Sequence, residues 1–146
     1  MKGLELGQKA IVRRIFTHED LLEYAALTGD VTETVADEEQ GKRNRGERPV
    51  VPGPLLGGMF SYLLGTRLPG PGTNYLKQRF RFLAPAYLGE EITAMVEITR
   101  LRPEKELVNL RTVCTNPAGQ MVCEGEALVL VRDVEVVQMP TTSSAV

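Results

Sequence analysis

Proton transfer near neutral pH is the natural work of histidine, and the chain's 146 residues include a single one, His18. It stands beside Glu19 and Asp20, where a helix is expected to begin, so a solvent-facing side chain is expected there rather than a catalytic one. Cys114 and Cys123 lack the CxxC spacing of a metal or redox site, and one histidine cannot build a multi-histidine zinc centre. No metal and no other cofactor is therefore expected, and both cysteines read as structural and reduced. They flank a turn signal at Asn116-Pro-Ala-Gly119 at unequal distances, so direct pairing and a cross-strand disulfide are not expected. Carboxylates remain. Asp30 follows a helix-ending Gly29 and opens a polar stretch; beside an apolar pocket its acidity would fall and it would act as a lone weak acid or base. The alternative is a helix-end carboxylate bonded to nearby backbone amides.

The elements that must position these groups follow from periodicity. QKAIVRRIF, residues 8–16, carries Ala10, Ile11, Val12 and Ile15 in a β-branched stretch that suits a half-exposed strand. Thr17 stands three residues before Asp20, a capping-box spacing, and Leu21, Leu22, Tyr24, Ala25, Ala26 and Leu27 then form an apolar stripe ending at Gly29. Asp30 to Pro49 is polar, dense in both charges and without period, so a long surface loop is expected, and its length hints at function. After Pro52-Gly-Pro54 the chain is apolar nearly all round, from Leu55 to Leu64, and reads as a buried helix with Pro54 near its first position and Gly65 as its stop. Gly57 and Gly58 inside it each weaken a helix by about 1 kcal/mol relative to Ala, which points to close backbone approach by a tightly wrapped sheet.

Beyond Leu68-Pro-Gly-Pro-Gly72 the period changes to two. Residues 75–83 place Leu76, Gln78, Phe80 and Phe82 on one face and Lys77, Arg79 and Arg81 on the other; residues 91–101 alternate Ile92, Ala94, Val96 and Ile98; and two further runs join as a hairpin through Asn116–Gly119. Two helices followed by four antiparallel strands, with no βαβ alternation, make an α+β fold. Length and the absence of repeats give one domain over 1–146, with a frayed polar tail at 140–146. A net charge of -2 excludes a nucleic-acid partner. No apolar run approaches the roughly 18 residues that cross a bilayer, and residues 1–8 hold no signal-peptide core, so neither a membrane association nor export is expected and a cytoplasmic location is.

FTHEDLLEYAALTGD, RPVVPGPLLGGMFSYLLGTRLPGPGT, YLKQRFRFLAPAYLGEEITA and CTNPAGQMVCEGEALVLV resemble the MaoC-like family of (R)-specific enoyl-CoA hydratases and dehydratases over almost the whole chain, most of all the hydratase-like domains found beside phosphate acyltransferases, which share the LPGPGT wording. The resemblance implies the hotdog fold, an antiparallel sheet wrapped around a central helix. The family's catalytic segment reads D-x-N-P-x-H, whose Asp and His activate a water for addition to an enoyl thioester. Here it reads Asp30-Val-Thr-Glu-Thr-Val35: the Asp remains, Thr32 and Glu33 replace the Asn and Pro, and Val35 replaces the His. The family's V-H-G before the central helix reads Val51-Pro52-Gly53. By resemblance, the backbone N–H of Gly53 points at the thioester carbonyl with the helix dipole behind it. Ser61, Thr32 and Val35 line the substrate site, and Arg79, Arg81, Lys42, Arg43 and Arg45 are candidates for CoA phosphates. A valine moves no proton, so the expectation is a protein that binds acyl-CoA or acyl-carrier-protein thioesters with impaired hydratase activity. Three alternatives stand beside it: an active hydratase using Asp30 with Glu33 or Asp37; the non-catalytic half of a heterodimer with a catalytic homologue; and a thioesterase built on Asp30. The resemblance also implies at least a dimer.

Overall fold

The computed structural model describes residues 1, 3–30 and 48–134. The chain runs β1 (Lys9–Ile15), α1 (His18–Thr28), α2 (Gly53–Thr66), β2 (Asn74–Phe82), β3 (Glu91–Arg102), a short 3-10 turn, β4 (Leu107–Thr115) and β5 (Met121–Leu130). The strands form one antiparallel sheet in the order β1-β3-β4-β5-β2, and α2 packs on β3, β2 and β1. This is the α+β arrangement expected, with one difference in connectivity. β2 pairs with β5 at the far edge, not with the β3 that follows it in sequence, so among the described residues β2 and β1 are the two edges.

The capping box forms: Thr17 Oγ1 accepts from the Asp20 amide at 3.2 Å and the Asp20 carboxylate accepts from the Thr17 amide at 2.9 Å. At the other end Gly29 turns left-handed at φ 74 and its N–H donates to the Ala25 carbonyl. The expected apolar stripe on α1 is narrower than its composition suggests. Only Leu21 and Ala25, one row four residues apart, are buried, while Leu22 and Leu27 are exposed.

In α2, Leu56, Met59, Phe60, Leu63 and Leu64 are buried, but Pro54, Gly58, Ser61 and Gly65 form an exposed row of small residues, so the helix is not enclosed all round. It runs through Gly65 to Thr66. The two interior glycines differ. A Cβ on Gly57 would stand 2.9 Å from the tip of the Phe80 ring, the close approach that was expected, whereas a Cβ on Gly58 would meet open space. The Phe80 ring lies tilted between Phe60 and Phe82, both with centroids 5.8 Å away.

In β3 the alternation is complete, with Ile92, Ala94, Val96 and Ile98 all buried. Since Phe80 and Phe82 reach α2, strand alternation sends Arg79 and Arg81 to the opposite face. There the register lines up one charge per strand across the whole sheet: Lys9 opposite Glu97, Glu97 opposite Arg111, Arg111 opposite Glu126 and Glu126 opposite Arg79. On the inner face Thr112 is fully buried, and its hydroxyl accepts from Gln78 Nε2 at 3.0 Å. The Tyr75 hydroxyl donates to Gln78 Oε1, and burial pushes the Tyr75 phenol up to about 12.

The hairpin at 116–119 forms, with Asn116 Oδ1 accepting from the Ala118 and Gln120 amides. The cysteine expectation is corrected here. Cys114 and Cys123 are direct partners in the β4–β5 register, because a bulge between Cys114 and Thr115 absorbs the unequal spacing. Both are free thiols and fully buried.

Candidate active site

Asp30 sits just past the left-handed turn at Gly29, at the exposed end of α1. Its amide donates to Thr28 Oγ1 at 3.1 Å, and Thr28 in turn donates its hydroxyl to the Tyr24 carbonyl at 2.8 Å. The Asp30 carboxylate accepts from the Tyr24 hydroxyl at 3.4 Å. The side chain is thus partnered by a phenol one and a half turns back on the same helix, not by a capping amide. Residue type concealed this. Tyr24 reads as one more member of an apolar stripe, although an aromatic with a hydroxyl in the last turns before a helix-ending Gly can reach a residue folded back beyond it.

Tyr24 also lines a pocket of about 350 Å³ between α1, α2 and β1. Its deep wall is Val12, Phe16 and Met59, all nearly buried; Leu27, Leu55 and Tyr62 complete the apolar lining, and Gly58 leaves the α2 side open. At the charged rim Arg14 pairs with Asp20 at 3.3 Å and lies over the Phe16 ring, 5.4 Å from its centroid. The Thr17 amide, offset in part by burial and helped by Arg14, holds the Asp20 carboxyl below its ordinary value of 3.8, so Asp20 stays ionised opposite Arg14. Mostly apolar walls with a few convergent polar groups are what small-molecule sites look like, and the volume lies at the small end of their range of about 300–1,000 Å³.

Gly53 is the first residue of α2, and its N–H has no carbonyl partner within the helix; Pro54 carries no N–H, and the Leu55 N–H donates to the Pro52 carbonyl at 3.0 Å. The lack of a side chain at Gly53 has a packing cause as well, since a Cβ there would stand 2.5 Å from Cζ of Phe82. Leu55, two residues on, lines the pocket. The approach to α2 is pinned by Arg48, which lies 4.3 Å from the Tyr87 ring centroid and 3.8 Å from the Glu90 carboxylate, and by the Val51 amide donating to Ala86. Ser61 is on the exposed row of α2, one turn from Gly58, and is not among the pocket residues. His18 is half-buried in the first turn of α1, also outside the pocket. Thr32, Glu33, Val35, Asp37, Lys42, Arg43 and Arg45 lie outside the described residues. Arg79 and Arg81 project from the face away from α2, opposite Glu126 and Glu124, so they do not line the pocket. Among the described residues no cluster of His, Cys, Asp or Glu is arranged to hold a metal, and no helix is long and apolar enough to cross a membrane.

No protein-family model matches the chain. Among curated proteins it is 39% identical over 130 residues to an (R)-specific enoyl-CoA hydratase of Rhodospirillum rubrum, covering 89% of this chain and 90% of that protein. It is also 39% identical to the (R)-specific enoyl-CoA hydratase of Aeromonas caviae, over 88% of this chain and 96% of that one. The solved structure of the (R)-hydratase from A. caviae superposes with a TM-score of 0.84 at 38% identity, covering 89% of this chain and 98% of that chain. The (R)-hydratase PhaJ1 of Pseudomonas aeruginosa gives 0.83 at 33% identity over 97% and 93%. An identity of this size over nine-tenths of the chain, on the same sheet-and-helix architecture, makes the chain a member of the (R)-specific enoyl-CoA hydratase family, with its MaoC-like hotdog fold.

Proposed function

We propose that the chain binds enoyl and acyl thioesters of CoA or acyl-carrier protein and hydrates the enoyl forms far more slowly than its relatives. One observation carries the reading: an apolar pocket of about 350 Å³ beside the first turn of α2, in a chain whose single histidine lies outside it. The pocket takes the acyl chain, and the Gly53 N–H at the start of α2 polarises the thioester carbonyl. Water addition further requires a base for the water and an acid for the α carbon, each worth about 10² to 10⁴ in rate, and the imidazole of the family's motif is replaced by Val35.

The edge of β2, which has no strand partner on its outer side among the described residues, supports association with a second copy, since Tyr75, Leu76, Phe82 and Leu83 are exposed along it. Light scattering at twice the chain mass is the expected result. Catalysis is tested by following the loss of enoyl absorbance with crotonyl-CoA while butyryl-CoA binding is measured by calorimetry. Binding with weak turnover supports the proposal, and turnover at the level of an active relative overturns it.

A further inference from the structure

Resting on that reading, we propose that Tyr24 and Asp30 form a proton-transfer pair that performs the chain's residual hydration, with the Tyr24 hydroxyl as the acid and the Asp30 carboxylate as the base. Tyr24 lines the apolar pocket and its hydroxyl donates to the Asp30 carboxylate, which lies just outside the pocket lining, at 3.4 Å. Thr28 sets that spacing, because one hydroxyl donates to the Tyr24 carbonyl and accepts from the Asp30 amide. Asp30 itself is exposed, so water reaches it without a channel.

The chemistry balances without an outside reagent. The water oxygen bonds to the β carbon as its proton passes to Asp30, and the double-bond electrons move toward the thioester carbonyl, held by the Gly53 N–H at the start of α2. The α carbon then takes the Tyr24 proton, forming a C–H bond and leaving a phenolate beside a protonated carboxyl. That proton crosses the existing hydrogen bond to Tyr24. One water has been added, both side chains have returned to their starting state, and nothing has been oxidised or reduced. A phenol is a poorer proton relay than imidazole near neutral pH, which accords with slow turnover.

The test compares wild type, Tyr24→Phe, Asp30→Asn and the double variant, with crotonyl-CoA turnover as the rate and butyryl-CoA as the binding probe. Tyr24→Phe removes one exposed-side hydroxyl and keeps the ring in the pocket wall, so folding is expected to survive and is checked by thermal melting. Each single variant is expected to lose turnover by at least about tenfold with butyryl-CoA affinity within about twofold, and the double variant to lose no more than the worse single, as groups acting in one circuit do. Full turnover in Tyr24→Phe overturns the pair, as does a wild type that binds butyryl-CoA without hydrating crotonyl-CoA; either leaves the binding function standing. A wild type that fails to bind butyryl-CoA overturns the function itself.

Discussion

The Phe82 ring lies across the first residue of α2, close enough that a Cβ on Gly53 would stand 2.5 Å from Cζ. The start of the helix is therefore shaped by an aromatic on the edge strand, whose ring fits there only while position 53 is bare. Phe82 is 56% exposed, so its ring can swing outward and the clash is partly relieved. Gly53→Ala is expected to lower stability by about 1–2 kcal/mol, as moderate overpacking does, and Phe82→Leu in the same chain to recover part of it, read by denaturant midpoints.

Neighbouring glycines of α2 should respond in opposite directions. Gly57 faces Phe80, with 2.9 Å from a would-be Cβ to the ring, whereas Gly58 faces the pocket with nothing within 4 Å. Gly58→Ala is expected to gain up to about 1 kcal/mol from helix propensity, while at Gly57 the same gain is set against the Phe80 contact, so Gly57→Ala should be neutral or destabilising. Gly58→Leu should fill the pocket. A methylene is about the size of a water molecule, which takes about 30 Å³ of liquid volume, so 350 Å³ holds about twelve such groups. Octanoyl-CoA affinity should accordingly fall in Gly58→Leu much more than butyryl-CoA affinity.

The register of the five strands sets a row of alternating charges across the outer sheet face. Arg111 stands between Glu97 and Glu126, both direct partners. Arg111→Glu would set three carboxylates in a line, and each like-charge pair costs about 0.2–1 kcal/mol. A drop in urea midpoint that shrinks in high salt is expected, and a salt-independent drop would assign the effect to lost packing instead.

The buried thiols give a pH dependence with a definite sign. Burial pushes Cys123 from its ordinary 9.0 up to about 11, and burial with the neighbouring Cys123 pushes Cys114 higher still. Folded thiols thus hold protons that the unfolded chain releases, so this contribution to stability is fully present below about pH 9 and declines as pH rises through the folded values. Urea unfolding at pH 7 and at pH 10 measures it, and both thiols should resist iodoacetamide until the chain unfolds.

Much of this architecture is legible in local pattern. The capping box at Thr17 and Asp20, the β3 alternation from Ile92 to Ile98 and the hairpin turn at Asn116–Gly119 each follow from spacings a few residues long. What escapes is set by distant neighbours. Alternation gives the faces of β2 but not its partner β5, and a single bulge beside Cys114 brings two cysteines into register against their count. Gly57 and Gly58 are adjacent letters about 100° apart on a helix, one under a ring and one in a cavity. Asp30 is singled out by the family's motif, whereas Tyr24 is not, because its hydroxyl meets Asp30 only once Gly29 turns the chain back toward it.

The most direct test restores what the sequence lacks. Val35→His with Thr32→Asn, assayed against wild type for kcat/KM with crotonyl-CoA, should raise activity by about 10² or more while butyryl-CoA affinity stays level. A wild type already as fast as an active (R)-hydratase, with no gain in the double variant, would contradict the account.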